Sequence, residues 1–186
     1  TDGTAVTVTN GTHSLAKPET LDHGITIRSA EGRGQTTLAA ANREQMFILK
    51  HPDAVVEGFT LSGQKASSGE SGGAVRIASG RLVDCTISNA RAERAYGGGV
   101  YLSSSSETPD AVMSNCTVTA CKNQTITANA RYGDGIGVYA TGTGALVANC
   151  RIEKCIPDGG NGTNDSFGVL FVGGGATARN CLVTGS

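Results

Sequence analysis

An internal repeat is the sequence feature that most limits what this chain can fold into. Four segments align without gaps, and each places a cysteine between a turn residue and a short apolar stretch, as in Asn149-Cys150-Arg151-Ile152. The four cysteines are Cys85, Cys116, Cys150 and Cys181. Self-similarity at such a period is typical of architectures in which each unit buries its apolar surface against its neighbours.

Other elements of the chain repeat in the same order. Two earlier segments, Gly24–Ile27 and Gly58–Leu61, fit the frame of the cysteine segments with different residues. A glycine-rich or serine-led element precedes each of the four cysteine segments: Gly72–Ile77, Gly97–Leu102, Gly133–Val138 and Ser166–Phe171. A further apolar stretch lies between the two: Leu82-Val83, Val112-Met113, Leu146-Val147 and Ala176–Ala178. We therefore expect three short strands with alternating apolar positions in each unit.

The connections between these strands select the fold class. The sequence between them has no helical periodicity, which excludes strand–helix–strand units, and the equivalent reversals lack the Asn-Gly or Asp-Gly loops of hairpins. The sequence thus predicts an all-β chain wound as a parallel β-helix of about six to seven coils with three short strands per coil. Parallel crossovers are almost always right-handed, so we expect right-handed winding.

The repeat also predicts which side chains point inward. Cys85, Cys116, Cys150 and Cys181 should stack in one interior file beneath Phe59. The glycine-rich strands should form a second inward file, made of Val75 and Ile77, Val100 and Leu102, Ile136 and Val138, and Val169 and Phe171. Asn115, Asn149 and Asn180 fall at the sharp bend before the third strand, where asparagine tolerates the left-handed backbone conformation.

The bend pattern resembles the asparagine ladder of right-handed parallel β-helix proteins of the pectin-lyase-like superfamily. Gly97–Leu102 and Asn180–Gly185 resemble repeats of large bacterial surface and autotransporter-type β-helix proteins. The likeness covers Gly24–Ser186 well and Thr4–Leu15 weakly, and it implies a single β-helix domain over residues 1–186. We expect this domain to be part of a longer, secreted or cell-surface chain. The resemblance implies no single activity, because this architecture hosts lyases, hydrolases, epimerases and adhesins alike.

Charge and hydropathy exclude some partners. With 15 Lys and Arg against 16 Asp and Glu the net charge is −1, which argues against a general nucleic-acid binder. No apolar run approaches the roughly 18 residues needed to span a bilayer, so we expect no membrane insertion in this segment.

The remaining cysteines and the histidines allow several interpretations. Cys121 and Cys155 each lie five residues after a file cysteine, and they could form a bridge at the surface. The alternative is that the cysteines are buried free thiols acting as small apolar filler. Zinc is disfavoured because a straight file of sulfurs does not make a tetrahedron. His13, His23 and His51 read as scattered loop histidines, so we expect no metal or other cofactor.

Candidate binding residues cluster beside the glycine-rich strands. The longest loops are expected at 88–96, 119–132 and 153–165, flanking one outer face. Tyr96 and Tyr132 look equivalent, and Tyr101 and Tyr139 should point outward from neighbouring coils. The candidate ligand-binding residues are Arg76, Arg94, Tyr96, Tyr101, Arg131, Tyr132, Asp134 and Tyr139.

The hypothesis that follows is adhesion or glycan binding. Aromatic faces stack on sugar rings and Arg binds carboxylates bidentately, so an extended acidic polysaccharide fits this face. The alternatives are tyrosines that merely cover a β surface, a structural stalk or a subunit that self-associates end to end. A polysaccharide lyase or hydrolase is less favoured, because Asp134 lacks a second Asp at the equivalent position, where Gly98 and Phe167 stand.

Overall fold

The computed structural model describes residues 2–42, 44–107, 110–124, 134–157 and 169–184. These residues contain strands and no helix. The first seven strands are β1 (Thr4–Val8), β2 (Gly11–Leu15), β3 (Glu19–Leu21), β4 (Ile25–Ser29), β5 (Thr36–Ala40), β6 (Phe47–Glu57) and β7 (Thr60–Ser62). The next seven are β8 (Val75–Val83), β9 (Thr86–Ser88), β10 (Arg91–Glu93), β11 (Val100–Ser103), β12 (Ala111–Ser114), β13 (Thr117–Thr119) and β14 (Lys122–Gln124). The last seven are β15 (Val138–Thr141), β16 (Ala145–Ala148), β17 (Arg151–Glu153), β18 (Ile156–Pro157), β19 (Leu170–Gly173), β20 (Thr177–Arg179) and β21 (Leu182–Thr184).

The described strands form three sheets, and all of their pairings are parallel. The largest sheet has 11 strands and holds two side-by-side stacks, because the long strands β6 and β8 each contribute to both. One stack follows β3, β6, β8, β11, β15 and β19, and the other follows β1, β4, β6, β8, β12, β16 and β20. The second sheet, β2-β5-β7-β9-β13-β17-β21, is seven-stranded. Each strand thus pairs with its counterpart one coil away, as the repeat predicts.

A third sheet, which sequence analysis missed, closes the coil. Strands β10, β14 and β18 pair in parallel within segments predicted to be long loops. They escaped notice because Arg91–Glu93 and Lys122–Gln124 are polar and their inward positions carry small or polar residues, Ala92 and Asn123. No apolar alternation marks such strands in the sequence.

Two bends with left-handed backbone set the corners of each coil. Asn115, Asn149 and Asn180 occupy the predicted bend with φ of 55°, 55° and 51°. Asn180 Nδ2 donates a hydrogen bond to Asn149 Oδ1 at 3.2 Å, so part of the expected ladder is present. A second bend follows the next strand at Asn89, Ala120 and Lys154, with φ of 55°, 52° and 54°.

The segment Gly24–Ile27 does not lie where the sequence frame put it. Ile27 pairs with Val56 in the large sheet, whereas the partner of the Gly58–Leu61 segment in the preceding coil is β5, in which Leu38 pairs with Leu61. The apolar alternation of Ile25-Thr26-Ile27 imitates that of the cysteine segments. The assignment to the same frame was therefore wrong, whereas Gly58–Leu61 was correctly placed.

Cysteines fill two interior files. Cys85, Cys116 and Cys150 are buried and Cys181 is half-buried, which confirms the predicted file. Its neighbours toward the start of the chain are Phe59 and then Thr36, as the register of β5, β7 and β9 shows. The proposed surface bridge between Cys121 and Cys155 is wrong, because both are fully buried free thiols. The second bend turns each of them inward, where they continue a file begun by Gln64 and Ala90.

The inward file of the glycine-rich strands differs from the prediction in its last two coils. Val100 pairs with Val138 and Val138 with Leu170, so the inward residues are Val138 and Ala140, then Leu170 and Val172. Phe171, expected inside, instead pairs with Tyr139 on the outer face. The glycine that matches Gly97 is Gly135 rather than Gly133, and Gly135 and Gly97 have positive φ values of 64° and 67°.

In the described part of the chain no helix is long and apolar enough to span a membrane.

Candidate functional site

An aromatic ladder runs along the outer face of the large sheet. Arg76 of β8, Tyr101 of β11, Tyr139 of β15 and Phe171 of β19 are successive partners in the parallel register. The ring centroids of Tyr101 and Tyr139 lie 5.5 Å apart, and those of Tyr139 and Phe171 lie 4.6 Å apart, with interplanar angles of 20° and 9°. The guanidinium carbon of Arg76 lies 5.9 Å from the Tyr101 centroid. One cation and three stacked rings therefore occupy four consecutive coils.

Tyr96 also packs against the ladder. Its ring centroid lies 4.7 Å from that of Tyr139, with an interplanar angle of 37°. Tyr96 precedes Gly97, whose N–H donates to the carbonyl of Asp134 at 3.1 Å, so Asp134 stands one coil beyond Tyr96 in the same file. This register corrects one sequence-based equivalence, since Asp134 matches Tyr96 rather than Gly98.

Burial and neighbouring groups perturb two of these side chains. Partial burial raises the pKa of the Asp134 carboxyl above its usual value. Burial also raises the pKa of the Tyr139 phenol, and the neighbouring Tyr96, Tyr101 and Asp134 raise it further. In both cases burial acts by disfavouring the charged form of the group.

The orientation of the rings decides which of their surfaces meet a ligand. Tyr139 has Tyr101 stacked on one side and Phe171 on the other, so both of its faces are covered within the ladder. The half-buried rings of Tyr101 and Tyr139 therefore present edges to solvent. An aromatic edge carries partial positive charge and the face partial negative charge. Arg76, exposed at one end of the ladder, adds a positive charge there.

Of the remaining predicted site residues, only one lies in the described part of the chain. Arg94 is exposed at the bend after β10, with φ of 56°, two residues before Tyr96. Arg131 and Tyr132 lie outside the described residues. Phe171 is the member of the ladder that sequence reasoning missed. Matching Leu170-Phe171 to Val138-Tyr139 would have revealed it.

The two ends of the described coil stack leave core files uncovered. At one end a cavity of about 260 Å³ opens, lined mostly by apolar side chains that include Val6, Leu15 and Phe47, together with His13 and Glu19. At the other end the inward residues Val172 and Val183 are 37% and 44% exposed.

The histidines do not all lie in loops as expected. His13 belongs to β2 and His51 to β6, whereas His23 lies in the turn before β4 with Nδ1 2.9 Å from Asp22 Oδ1. Among the described residues, no three His, Cys, Asp or Glu side chains are grouped so that they could hold a metal ion.

Comparison with known proteins agrees with this architecture. A family model described as "Right handed beta helix region" matches residues 22–185. Neither the curated proteins nor the solved structures gave a match to the chain. The family match adds the handedness of the winding to the parallel sheets seen in the structure, and it spans nearly the whole chain. The protein therefore belongs to the right-handed β-helix family.

Proposed function

We propose that this β-helix domain binds an extended acidic polysaccharide along the aromatic ladder formed by Arg76, Tyr96, Tyr101, Tyr139 and Phe171. The observation that carries the proposal is the in-register alignment of an exposed cation with stacked rings over four coils. A setting at the cell surface or outside the cell, as in the bacterial proteins whose repeats it resembles, would present this face to glycans in adhesion.

The spacing of the ladder suits a linear polymer. Adjacent parallel strands lie about 4.8 Å apart, so equivalent groups recur at short, regular intervals along the helix axis. A sugar chain lying parallel to the axis would meet one ring edge per coil, with Arg76 available to a carboxylate. Tyrosine hydroxyls at the ring edges can donate hydrogen bonds to sugar and carboxylate oxygens.

A matched pair of arginines tests the proposal. Arg76 and Arg81 lie on the same strand, β8, and both are exposed, but it is Arg76 that borders the ladder. We expect Arg76→Ala to weaken binding of polygalacturonate about tenfold, since a charge-assisted contact is lost. Arg81→Ala should bind like the parent, and raising the salt concentration should reduce the difference between the two variants.

Titration of the variant Tyr139→Leu with polygalacturonate tests the contribution of the rings. This variant should bind polygalacturonate more weakly than the parent, because it removes the central ring and its hydroxyl. Equal affinity of the parent, Arg76→Ala and Tyr139→Leu would contradict glycan binding at the ladder. A neutral glucan of similar length serves as the ligand control, and it should bind more weakly than the uronate polymer.

A second role, end-to-end self-association, is favoured by the exposed core files. Val172 and Val183 end two inward files at one end, and Val6 is 46% exposed at the other. A second copy stacking head to tail would continue these files and pair the edge strands β20 and β21 with β1 and β2. Such a contact is heterologous and does not close on itself, so it leads to filaments.

Sedimentation velocity over a range of protein concentrations tests self-association. The parent chain should form species that grow with concentration, and Val183→Lys should remove them because a charge would lie in the new interface. Thr117→Lys is the control, because Thr117 lies on the outward side of β13, an inner strand that pairs with β9 on one side and β17 on the other. A monomer at all concentrations would contradict this role.

A further inference from the structure

We propose that Tyr139 and its tyrosine neighbours form an intramolecular dityrosine site, at which one-electron oxidation joins two coils of the helix covalently. Nothing in this inference depends on glycan binding. It rests on the proximity of phenol rings that come from different coils.

The geometry brings two phenols to the same partner. The centroid of Tyr96 lies 4.7 Å from that of Tyr139, and the centroid of Tyr101 lies 5.5 Å from it. Tyr101 and Tyr139 are direct partners of adjacent parallel strands, so their Cα atoms are about 5 Å apart. All three side chains are half-buried, which leaves a route for a small oxidant or a radical mediator.

Coupling of two phenols needs an oxidant, and we propose hydrogen peroxide acting through a peroxidase. Each phenol loses one proton and one electron, giving a phenoxyl radical. The two radicals form a carbon–carbon bond between their ortho positions, and loss and return of protons restore both phenol hydroxyls. Hydrogen peroxide accepts the two electrons and two protons and gives two molecules of water. Holding both radicals in one molecule favours this coupling over encounter between molecules.

The cross-link has a mechanical consequence. A bond between Tyr96 and Tyr139 joins the turn before β11 to β15 in the next coil and closes a long loop of the chain. Closing a loop removes entropy from the unfolded chain, as it does in the case of a disulfide. The oxidised protein should therefore unfold at a higher temperature than the reduced one. On a solenoid, whose coils contact mainly their neighbours, a bond between coils opposes local unwinding.

The test is oxidation of the parent chain with peroxidase and hydrogen peroxide at low protein concentration. We expect dityrosine fluorescence, a mass lower by two hydrogen atoms, a monomer on a denaturing gel, and peptides carrying Tyr139 joined to Tyr96 or Tyr101. Tyr139→Phe keeps the stacked ring but lacks the phenol, so its yield should fall about tenfold or more, because both close pairs lose their shared partner.

Two further variants make the result decisive. Tyr96→Phe should leave a smaller yield that maps to Tyr101 and Tyr139, and Tyr101→Phe should leave a product that maps to Tyr96 and Tyr139. An unchanged yield in Tyr139→Phe would overturn the proposal. So would a product found only between molecules, or a cross-link that maps to Tyr132. Polygalacturonate binding of Tyr139→Phe, measured separately, reports on the ladder as a glycan site and not on the cross-link.

Discussion

Gly98→Ala is expected to destabilise the protein severely, by about 4 kcal/mol or more in the free energy of unfolding. A Cβ placed on Gly98 would lie 2.1 Å from the Ile136 carbonyl oxygen and 2.4 Å from the Lys122 carbonyl oxygen. Both are backbone atoms of the next coil, so no side-chain rotation relieves the contact. The coil spacing must open locally, which breaks ladder hydrogen bonds such as that from the Gly98 N–H to the Gly135 carbonyl at 3.1 Å.

Gly34→Ala is the matched control for this substitution. A Cβ on Gly34 has nothing within 4 Å, and Gly34 does not adopt a positive φ. Its change in unfolding free energy should stay within about 0.5 kcal/mol of the parent, as is usual at open surface sites. Urea denaturation followed by far-ultraviolet circular dichroism measures both variants. Similar stabilities for Gly98→Ala and Gly34→Ala would contradict the close approach of the coils.

The solenoid could be predicted because its constraints are local and repeated. Each file cysteine follows a bend residue and precedes an alternating strand, so the repeat itself fixes which side chains share the interior. Gly24–Ile27 was misplaced because apolar alternation alone does not distinguish a strand of the large sheet from a strand of the seven-stranded sheet. The distinguishing feature is the turn between β4 and β5, where Ser29 Oγ lies 2.7 Å from Thr36 Oγ1. That contact belongs to the folded coil and has no signature in the apolar pattern.

The candidate site could be predicted only in part, for a different reason. Tyr101 and Tyr139 were correctly assigned to the outer face of neighbouring coils, because both follow a valine in a glycine-rich strand. Phe171 was missed because the last glycine-rich segment was aligned one residue out of register, with Val169 rather than Leu170 as the counterpart of Val100. A shift of one residue exchanges the inward and outward faces of a strand, so Phe171 was assigned to the interior. The mutual stacking of the rings depends on that register, so it emerged only from the structure.

Cys116→Asp is expected to be the most damaging single change in the cysteine file. Cys116 is 1% exposed and lies between Cys85 and Cys150, and burial raises the pKa of its thiol well above the usual value. Its Sγ is 3.2 Å from the Ser114 carbonyl and 3.6 Å from the Leu82 carbonyl, so a carboxylate there would face two acceptors. A buried carboxyl without a cationic partner has a pKa raised by about 3 units or more, which corresponds to about 4 kcal/mol lost at pH 7.

The pH dependence of this loss separates charge burial from a simple change of shape. The folded-state pKa of the new carboxyl would lie above its unfolded value, so the variant should be most stable below about pH 4 and lose stability as the pH rises through the folded pKa. Cys116→Ser, which keeps a donor of similar size, should cost less and show no such slope. Thr117→Asp places a carboxylate on the outward side of β13 and should be tolerated much better, because it stays hydrated. Thermal unfolding of the three variants at pH 4 and pH 7 measures these differences, and equal losses for Cys116→Asp and Thr117→Asp would contradict the interior position of the cysteine file.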